Sequence, residues 1–283
     1  MIEIGCCLPG GSFMPQGVAE VGRTPGKQLR DGCAYLKKCG YDYAEAASAL
    51  LMKLSEEELR GAAADGSIRI RAVNSILPPP YALMPGAGEV TALPELEAYL
   101  REAFRRCAML GGRYAVFGSG KARSIPEGMD ASEAETYMER FLRMCDGLAE
   151  EFGLELVIEP LNRRETNLIL TLADGFRWAR RMQALGCRHI CLLADTFHMS
   201  EEGLPQEETF AVLKEAGALL KHCHAAEPVC RKYPSSQGGA YVRAFMERLR
   251  EIGYCGGVTV ECGFDDFCAE SRLAADFLKN CAR

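Results

Sequence analysis

Three carboxylates and one imidazole hold the same kind of position in this 283-residue sequence, each closing a short apolar run. Leu154-Glu-Leu-Val-Ile-Glu159 is halted by Pro160, and His189-Ile-Cys-Leu-Leu-Ala-Asp195, Leu219-Leu-Lys-His-Cys-His224 and Gly257-Val-Thr-Val-Glu261 follow the same plan. Short apolar runs bounded by Gly or Pro read as buried parallel strands. Glu159, Asp195, His224 and Glu261 are then expected at the carboxyl ends of consecutive strands, converging on one side of a shared mouth. Three anions gathered without compensation repel one another and shift their pKa values. One captured dication removes the problem. Oxygen-rich ligation with a single nitrogen suits Mn²⁺ first, with Co²⁺, Mg²⁺ or Zn²⁺ as alternatives.

Other reactive side chains lie close to these four in sequence. Glu165 follows Glu159 by six residues and is either a loop carboxylate over the mouth or a plain solvated one. His198, three residues after Asp195, is placed to hydrogen-bond a substrate hydroxyl or shuttle a proton. His222 points to the same side of its strand as His224, one pleat deeper, and reads as a support or core residue or as a further ligand. His189 begins its strand, at the wrong end for chemistry. In Phe117-Gly-Ser-Gly-Lys-Ala-Arg123, Lys121 or Arg123 either holds an anion or decorates a tight turn. Glu45 is a candidate substrate-side carboxylate, and Asn74, Pro78-Pro-Pro80, Pro9-Gly-Gly-Ser-Phe13, Tyr81 and Phe197 are candidate walls.

The elements that must place these groups recur along the chain as amphipathic helix, glycine, short apolar run and polar loop. Glycines at 40, 112, 153, 186, 217 and 253 each stand where a helix turns back into a strand. Ser55-Glu-Glu-Glu58 and Ser132-Glu-Ala-Glu135 fit the capping box, Thr171-Leu-Ala-Asp174 is a weaker version, and Pro94 suits the first turn of a helix reaching about Leu110. With Ile2–Cys7 and Ile68–Val73 the strands number eight, each with room for a helix. The expectation is α/β: one domain over residues 1–283, a single closed (β/α)8 TIM barrel. The alternative, a doubly wound open sheet, would want a glycine-rich phosphate turn, and no G-x-G-x-x-G follows the first strand.

Composition narrows the functional classes. The formal net charge of −6 argues against a nucleic-acid binder. No uncharged apolar run of roughly 18 residues is present, so no membrane partner is expected. Met1-Ile-Glu-Ile-Gly lacks a basic segment leading into an apolar core, and the 14 cysteines include no C-x-x-C pair. The thiols read as reduced and mostly buried ones of a cytoplasmic protein.

The ordered phrases Ile158-Glu-Pro-Leu-Asn-Arg163 with Glu165, Asp195-Thr-Phe-His-Met199, His222-Cys-His224 and Gly253-Tyr-Cys-Gly-Gly-Val-Thr-Val-Glu261 resemble the xylose-isomerase-like TIM-barrel superfamily of sugar isomerases and epimerases. Its ketose 3-epimerase and hydroxypyruvate-isomerase branches are the most similar. The resemblance implies one divalent metal on Glu159, Asp195, His224 and Glu261, with Glu159 and Glu261 doubling as the catalytic acid–base pair. It implies substrate contacts from Glu165 and His198, and from Arg231, which lies seven residues past His224 where the epimerases have a spacing of six. The tryptophan-rich pocket walls of those enzymes have no counterpart, since the one tryptophan is Trp178. An isomerase of carbohydrate metabolism follows, acting on a sugar or keto acid by proton abstraction next to a carbonyl through an enediolate, and forming a homo-oligomer. Rival readings are an inosose-type dehydratase on the same metal site, an abasic-site metallonuclease and a non-catalytic sugar-binding subunit.

Overall fold

The computed structural model describes residues 2–8, 24–66, 69–84 and 92–283. Eight parallel strands close into a barrel in chain order: Glu3–Cys7 (β1), Tyr43–Ala47 (β2), Ile70–Asn74 (β3), Tyr114–Phe117 (β4), Glu155–Ile158 (β5), Ile190–Asp195 (β6), Leu220–Ala225 (β7) and Gly257–Val260 (β8). β1 pairs with both β2 and β8, which closes the ring. Around it stand Pro25–Lys38 (α1), Ser48–Met52 (α2), Glu56–Asp65 (α3), Leu93–Met109 (α4), Gly120–Arg123 (α5), Ala131–Phe152 (α6), Leu172–Ala184 (α7), Thr196–Ser200 (α8), Gln206–Ala216 (α9), Ala240–Glu251 (α10) and Phe267–Cys281 (α11). The closed single barrel is the architecture the repeat predicts. Among the described residues no helix is long and apolar enough to cross a membrane. All fourteen cysteines are free, and only Cys230, Cys255 and Cys268 are exposed.

Helix placement follows from local chemistry. α6 buries Ala134, Met138, Phe141, Cys145 and Leu148 at steps of three and four, then ends at Gly153 in the left-handed region. The capping boxes at Ser55 and Thr171 both form. The box expected at Ser132 does not, because Asp130 is already the cap and accepts the Ser132 amide at 2.8 Å. The turn after α4 uses Gly111 rather than Gly112 as its left-handed residue. Gly112 is small for a different reason: a Cβ there would collide with Cys107.

The barrel interior is divided. On β3 to β6, alternate residues Ala72, Tyr114, Val116, Val157, Cys191 and Leu193 form an apolar cluster separate from the larger core that packs the helices on the strands. The side formed by β2, β7 and β8 is polar, with the Tyr43 hydroxyl 2.9 Å from Thr259 Oγ1 and Thr259 Oγ1 3.1 Å from His222 Nε2. The Tyr43 ring lies across the floor where side chains at Gly5 and Gly257 would otherwise project.

Arg123, at the end of α5, is fully buried and donates to the carbonyl oxygens of Phe117 (3.0 Å), Glu159 (2.8 Å) and Ile169 (3.5 Å). It therefore ties the exits of β4 and β5 together and is no anion holder, one of the two roles its sequence context left open. Burial pushes its pKa down to about 10, so it stays charged at neutral pH. Arg123→Met leaves those carbonyls without a donor. It is expected to lower unfolding free energy by about 2–4 kcal/mol in urea titrations, and an unchanged midpoint would remove this role.

Candidate active site and metal centre

Glu159 and Glu261 each stand one residue beyond a strand, after β5 and β8, while Asp195 ends β6 and His224 lies within β7. One ligand atom from each of these four falls within 4.8 Å of the others. His224 Nδ1 lies 3.4 Å from Glu159 Oε1, 3.8 Å from Asp195 Oδ2 and 3.4 Å from Glu261 Oε2. Such separations suit donors about 2.1–2.3 Å from one shared centre. Glu159 Oε1, Asp195 Oδ2 and His224 Nδ1 are buried without a hydrogen-bond partner. Buried polar atoms are normally paired, so atoms left bare while facing one another fit a cation. The donor set of three carboxylates and one imidazole fits a hard or borderline dication.

Each ligand is held by a second contact. Asp195 Oδ1 caps α8, accepting the amides of Phe197 (2.6 Å) and His198 (3.3 Å), which leaves Oδ2 for the cluster. Glu159 needs the bare backbone of Gly118, since a Cβ there would collide with Glu159 Oε2. His224 Nε2 lies 3.1 Å from Glu45 Oε1, and His222 Nε2 lies 2.9 Å from Glu45 Oε2. This corrects the sequence expectation for Glu45: it is fully buried beneath the ligands and not in the substrate space. His222 is its partner and stands outside the ligand set.

Among the protein groups alone, burial and the neighbouring Glu261 push the Glu159 carboxyl up to about 7. Burial raises Asp195 to about 6, against the pull of Arg231. Burial also opposes ionisation of Glu261, but His224 and Arg231 overcome it and hold that carboxyl at about 2. His224 goes the other way from a buried histidine: burial disfavours its charge, yet Glu45 and Glu261 lift its pKa well above the ordinary range. An imidazolium and a guanidinium thus partly neutralise the cluster.

Above the ligands, Arg231 Nη2 lies 2.7 Å from Glu261 Oε2 and Nη1 lies 3.3 Å from Glu165 Oε1, with the guanidinium over the Phe197 ring. The structure thus places Glu165, His198 and Arg231 beside the cluster. His198 Nδ1 accepts from the Asn162 amide and side chain, both at 3.2 Å, so Nε2 carries the hydrogen and faces Glu159 Oε1 at 4.0 Å. Burial, helped by Arg231, lowers the His198 pKa to about 3, which makes it a neutral donor.

Asn162, which also bonds Glu165 Oε1 at 3.1 Å, was not singled out in the sequence. Its only signal there is its place in the phrase Ile158–Arg163. Glu227 likewise carries no signal in the sequence. Its Oε1 gathers the amides of Ser235, Gln237 and Gly239 at 2.8 to 3.2 Å. The loop it fastens carries Val229, Arg231 and Ser235 at positive φ.

A cleft of about 530 Å³ opens over the cluster. Glu159, Glu261, Glu165 and Arg231 line it together with Asn74, Pro78–Tyr81 and Gly118–Lys121. Asp195 and His224 are not among its lining residues. Lys121 is exposed at the rim, and Phe197 is buried beneath Arg231. Pro9–Phe13, expected as a wall, lies outside the described residues.

Residues 33–281 match the family model described as xylose isomerase-like TIM barrel. Over 120 residues the chain is 30% identical to the 3-dehydro-D-guloside 4-epimerase of Escherichia coli K12, an alignment covering 42% of this chain and 43% of that protein. Over 114 residues it is 33% identical to the D-psicose 3-epimerase of Agrobacterium fabrum, covering 40% and 36%. The matched stretch thus spans less than half the length of either relative. The crystal structure of 3-keto-D-glucoside 4-epimerase from E. coli superposes with a TM-score of 0.77 over 99% of this chain and 100% of that one. At 22% identity this shows a common fold.

The pKa shifts give a signed expectation. Glu159 and Asp195 bind protons more tightly folded than unfolded, so their contribution to the stability of the cation-free protein falls as pH rises from about 4 through 7, opposite in sign to that of His198, whose folded pKa is lowered. The raised His224 pKa acts in the same direction at higher pH. Added Mn²⁺ should therefore raise Tm by several degrees more at pH 8 than at pH 5.5, on the order of 5 °C. Thermal melts with Mn²⁺ and with EDTA measure it, and equal shifts at both pH values would contradict the electrostatic account. Gly118→Ala should abolish most of the Mn²⁺ shift by displacing the Glu159 carboxylate, while leaving the EDTA melt within a few degrees of wild type.

Proposed function

The chain belongs to the xylose isomerase-like TIM barrel family, and on that premise we propose that it is a divalent-metal-dependent sugar epimerase or isomerase. The observation that carries this reading is the division of labour among the four ligands. Asp195 and His224 lie beneath the cleft, whereas Glu159 and Glu261 are both prospective ligands and part of its wall. Two carboxylates that both face the cleft and adjoin one prospective metal position are suited to serve as an acid–base pair. Two relatives are named as sugar epimerases, which supports a keto sugar as the substrate class.

A dication held by Glu159, Asp195, His224 and Glu261 would supply Lewis-acid polarisation of the substrate carbonyl, and Mn²⁺ is the ion proposed for this oxygen-rich set. Glu261, gripped by Arg231 at 2.7 Å, removes the proton from the carbon beside the carbonyl. Glu159, the other carboxylate that both joins the cluster and lines the cleft, returns one. Return on the opposite face of the same carbon inverts its configuration, and return to the neighbouring carbon moves the carbonyl. The two glutamates exchange roles in the reverse direction. Neutral His198 donates Nε2–H to a substrate oxygen, and Glu165 and Arg231 hold further hydroxyls, fixing which carbon meets the pair.

The test is solvent isotope exchange. Mn²⁺-loaded protein in D₂O with D-psicose, and separately with a 3-dehydro-glucoside, should replace the hydrogen beside the carbonyl with deuterium, read by proton NMR. EDTA should stop the exchange, and Glu159→Gln or Glu261→Gln should each slow it by about 10²–10⁴-fold. Unchanged exchange in both variants would end the acid–base assignment, and a product lighter by one water would mark a dehydratase instead.

A further inference from the structure

We infer that Glu45 is a positioning residue for the metal centre, holding the His224 ring so that Nδ1 and not Nε2 is offered to Glu159, Asp195 and Glu261. This rests on the reading of those four residues as a cation site.

Glu45 is fully buried, and its two oxygens meet two imidazole nitrogens, His224 Nε2 at 3.1 Å and His222 Nε2 at 2.9 Å. An ionised carboxylate only accepts hydrogen bonds, so both rings must carry hydrogen at Nε2. Once Nε2 of His224 is so engaged, Nδ1 is the one ring atom left to coordinate, and Nδ1 is the atom found bare among the three carboxylates. A histidine ligand whose second nitrogen donates to a carboxylate gains a fixed orientation and a more basic donor atom.

Glu45 is held in turn. A register shift between Ala44 and Glu45 where β2 pairs with β3 sets its place in the ladder. His222 is clasped by Thr259 Oγ1 at 3.1 Å and stacked on Tyr114, with Tyr43 behind Thr259. Cys7, Glu45 and His224 also group closely enough to suggest a second cation site. Both Glu45 oxygens are already taken by imidazole N–H groups, so this grouping is the support of the first site. Nothing in the reaction proposed above requires Glu45 to touch substrate.

Two measurements test the inference. Long-range ¹H–¹⁵N spectra of ¹⁵N-histidine protein, which has only four histidines to resolve, should show His224 and His222 protonated at Nε2 in the Zn²⁺-loaded wild type. Glutamine offers one acceptor oxygen and one donor nitrogen, so it can accept from only one of the two Nε2–H groups and favours the other tautomer in the second ring. Glu45→Gln should therefore bind Mn²⁺ roughly 10–100-fold more weakly by calorimetry and lose the single His224 tautomer. Mn²⁺ affinity within threefold of wild type, or a wild-type His224 that coordinates through Nε2, would overturn the inference while leaving the metal reading intact. A wild type that takes up no Mn²⁺ would overturn both. Should Glu45→Gln fail to fold, the wild-type spectrum alone decides, with Thr259→Val expected to loosen His222 and weaken Mn²⁺ binding in the same direction.

Discussion

Like charges forced together at the mouth of the barrel set the terms for the rest of this structure. Glu159, Asp195 and Glu261 converge on His224 at 3.4 to 3.8 Å, with their ligand atoms within 4.8 Å of one another, close enough for unscreened anions in a poorly polarisable interior to repel strongly. The protein answers with two cations of its own, His224 and Arg231. Neighbouring carboxylates raise the pKa values of both against the effect of burial, whereas burial first and Glu261 besides raise those of Glu159 and Asp195. A site built this way favours any dication able to replace the borrowed positive charge.

Fixing charged groups in an arrangement they would not choose requires that each be tied elsewhere. Asp195 uses its second oxygen to start α8, Glu261 is clasped by Arg231, His224 is backed by Glu45, and the Glu159 backbone is gripped by Arg123. Several of these ties come from strands or loops distant in the chain, which the closed barrel brings to one end. The apolar half of the interior, on β3 to β6, gives this polar half a rigid wall to rest on.

The barrel and its four prospective ligands were legible because each signal is local. An apolar run of four to six residues, its glycine and its terminal acid or histidine can be read within about ten positions, and eight repeats leave few topologies open. What could not be read depends on register and shear. Glu45 ends a run just as Glu159 does, yet its carboxylate lies under the ligands, bonded to residues 177 and 179 positions away. Arg123 reads in sequence as either an anion holder or a turn residue because nothing in its neighbourhood announces the three carbonyls it serves. Asn162 and Glu227 act through backbone amides and side chains whose approach only the folded loops create. At Ser132 two capping signals overlapped, and the upstream aspartate prevailed.

The loop anchored by Glu227 separates two properties that a strand-borne site would confound. Every prospective metal ligand belongs to a strand or its first exit residue, while Arg231 arrives on a segment whose shape is set by an internal knot of amides around one carboxylate. Its backbone amide is further tied to the Glu227 carbonyl, and its carbonyl to Gly263. Such an arm is modular: descendants of this fold are free to lengthen, shorten or re-aim it, exchanging the molecules they admit while the reacting centre stays as it was.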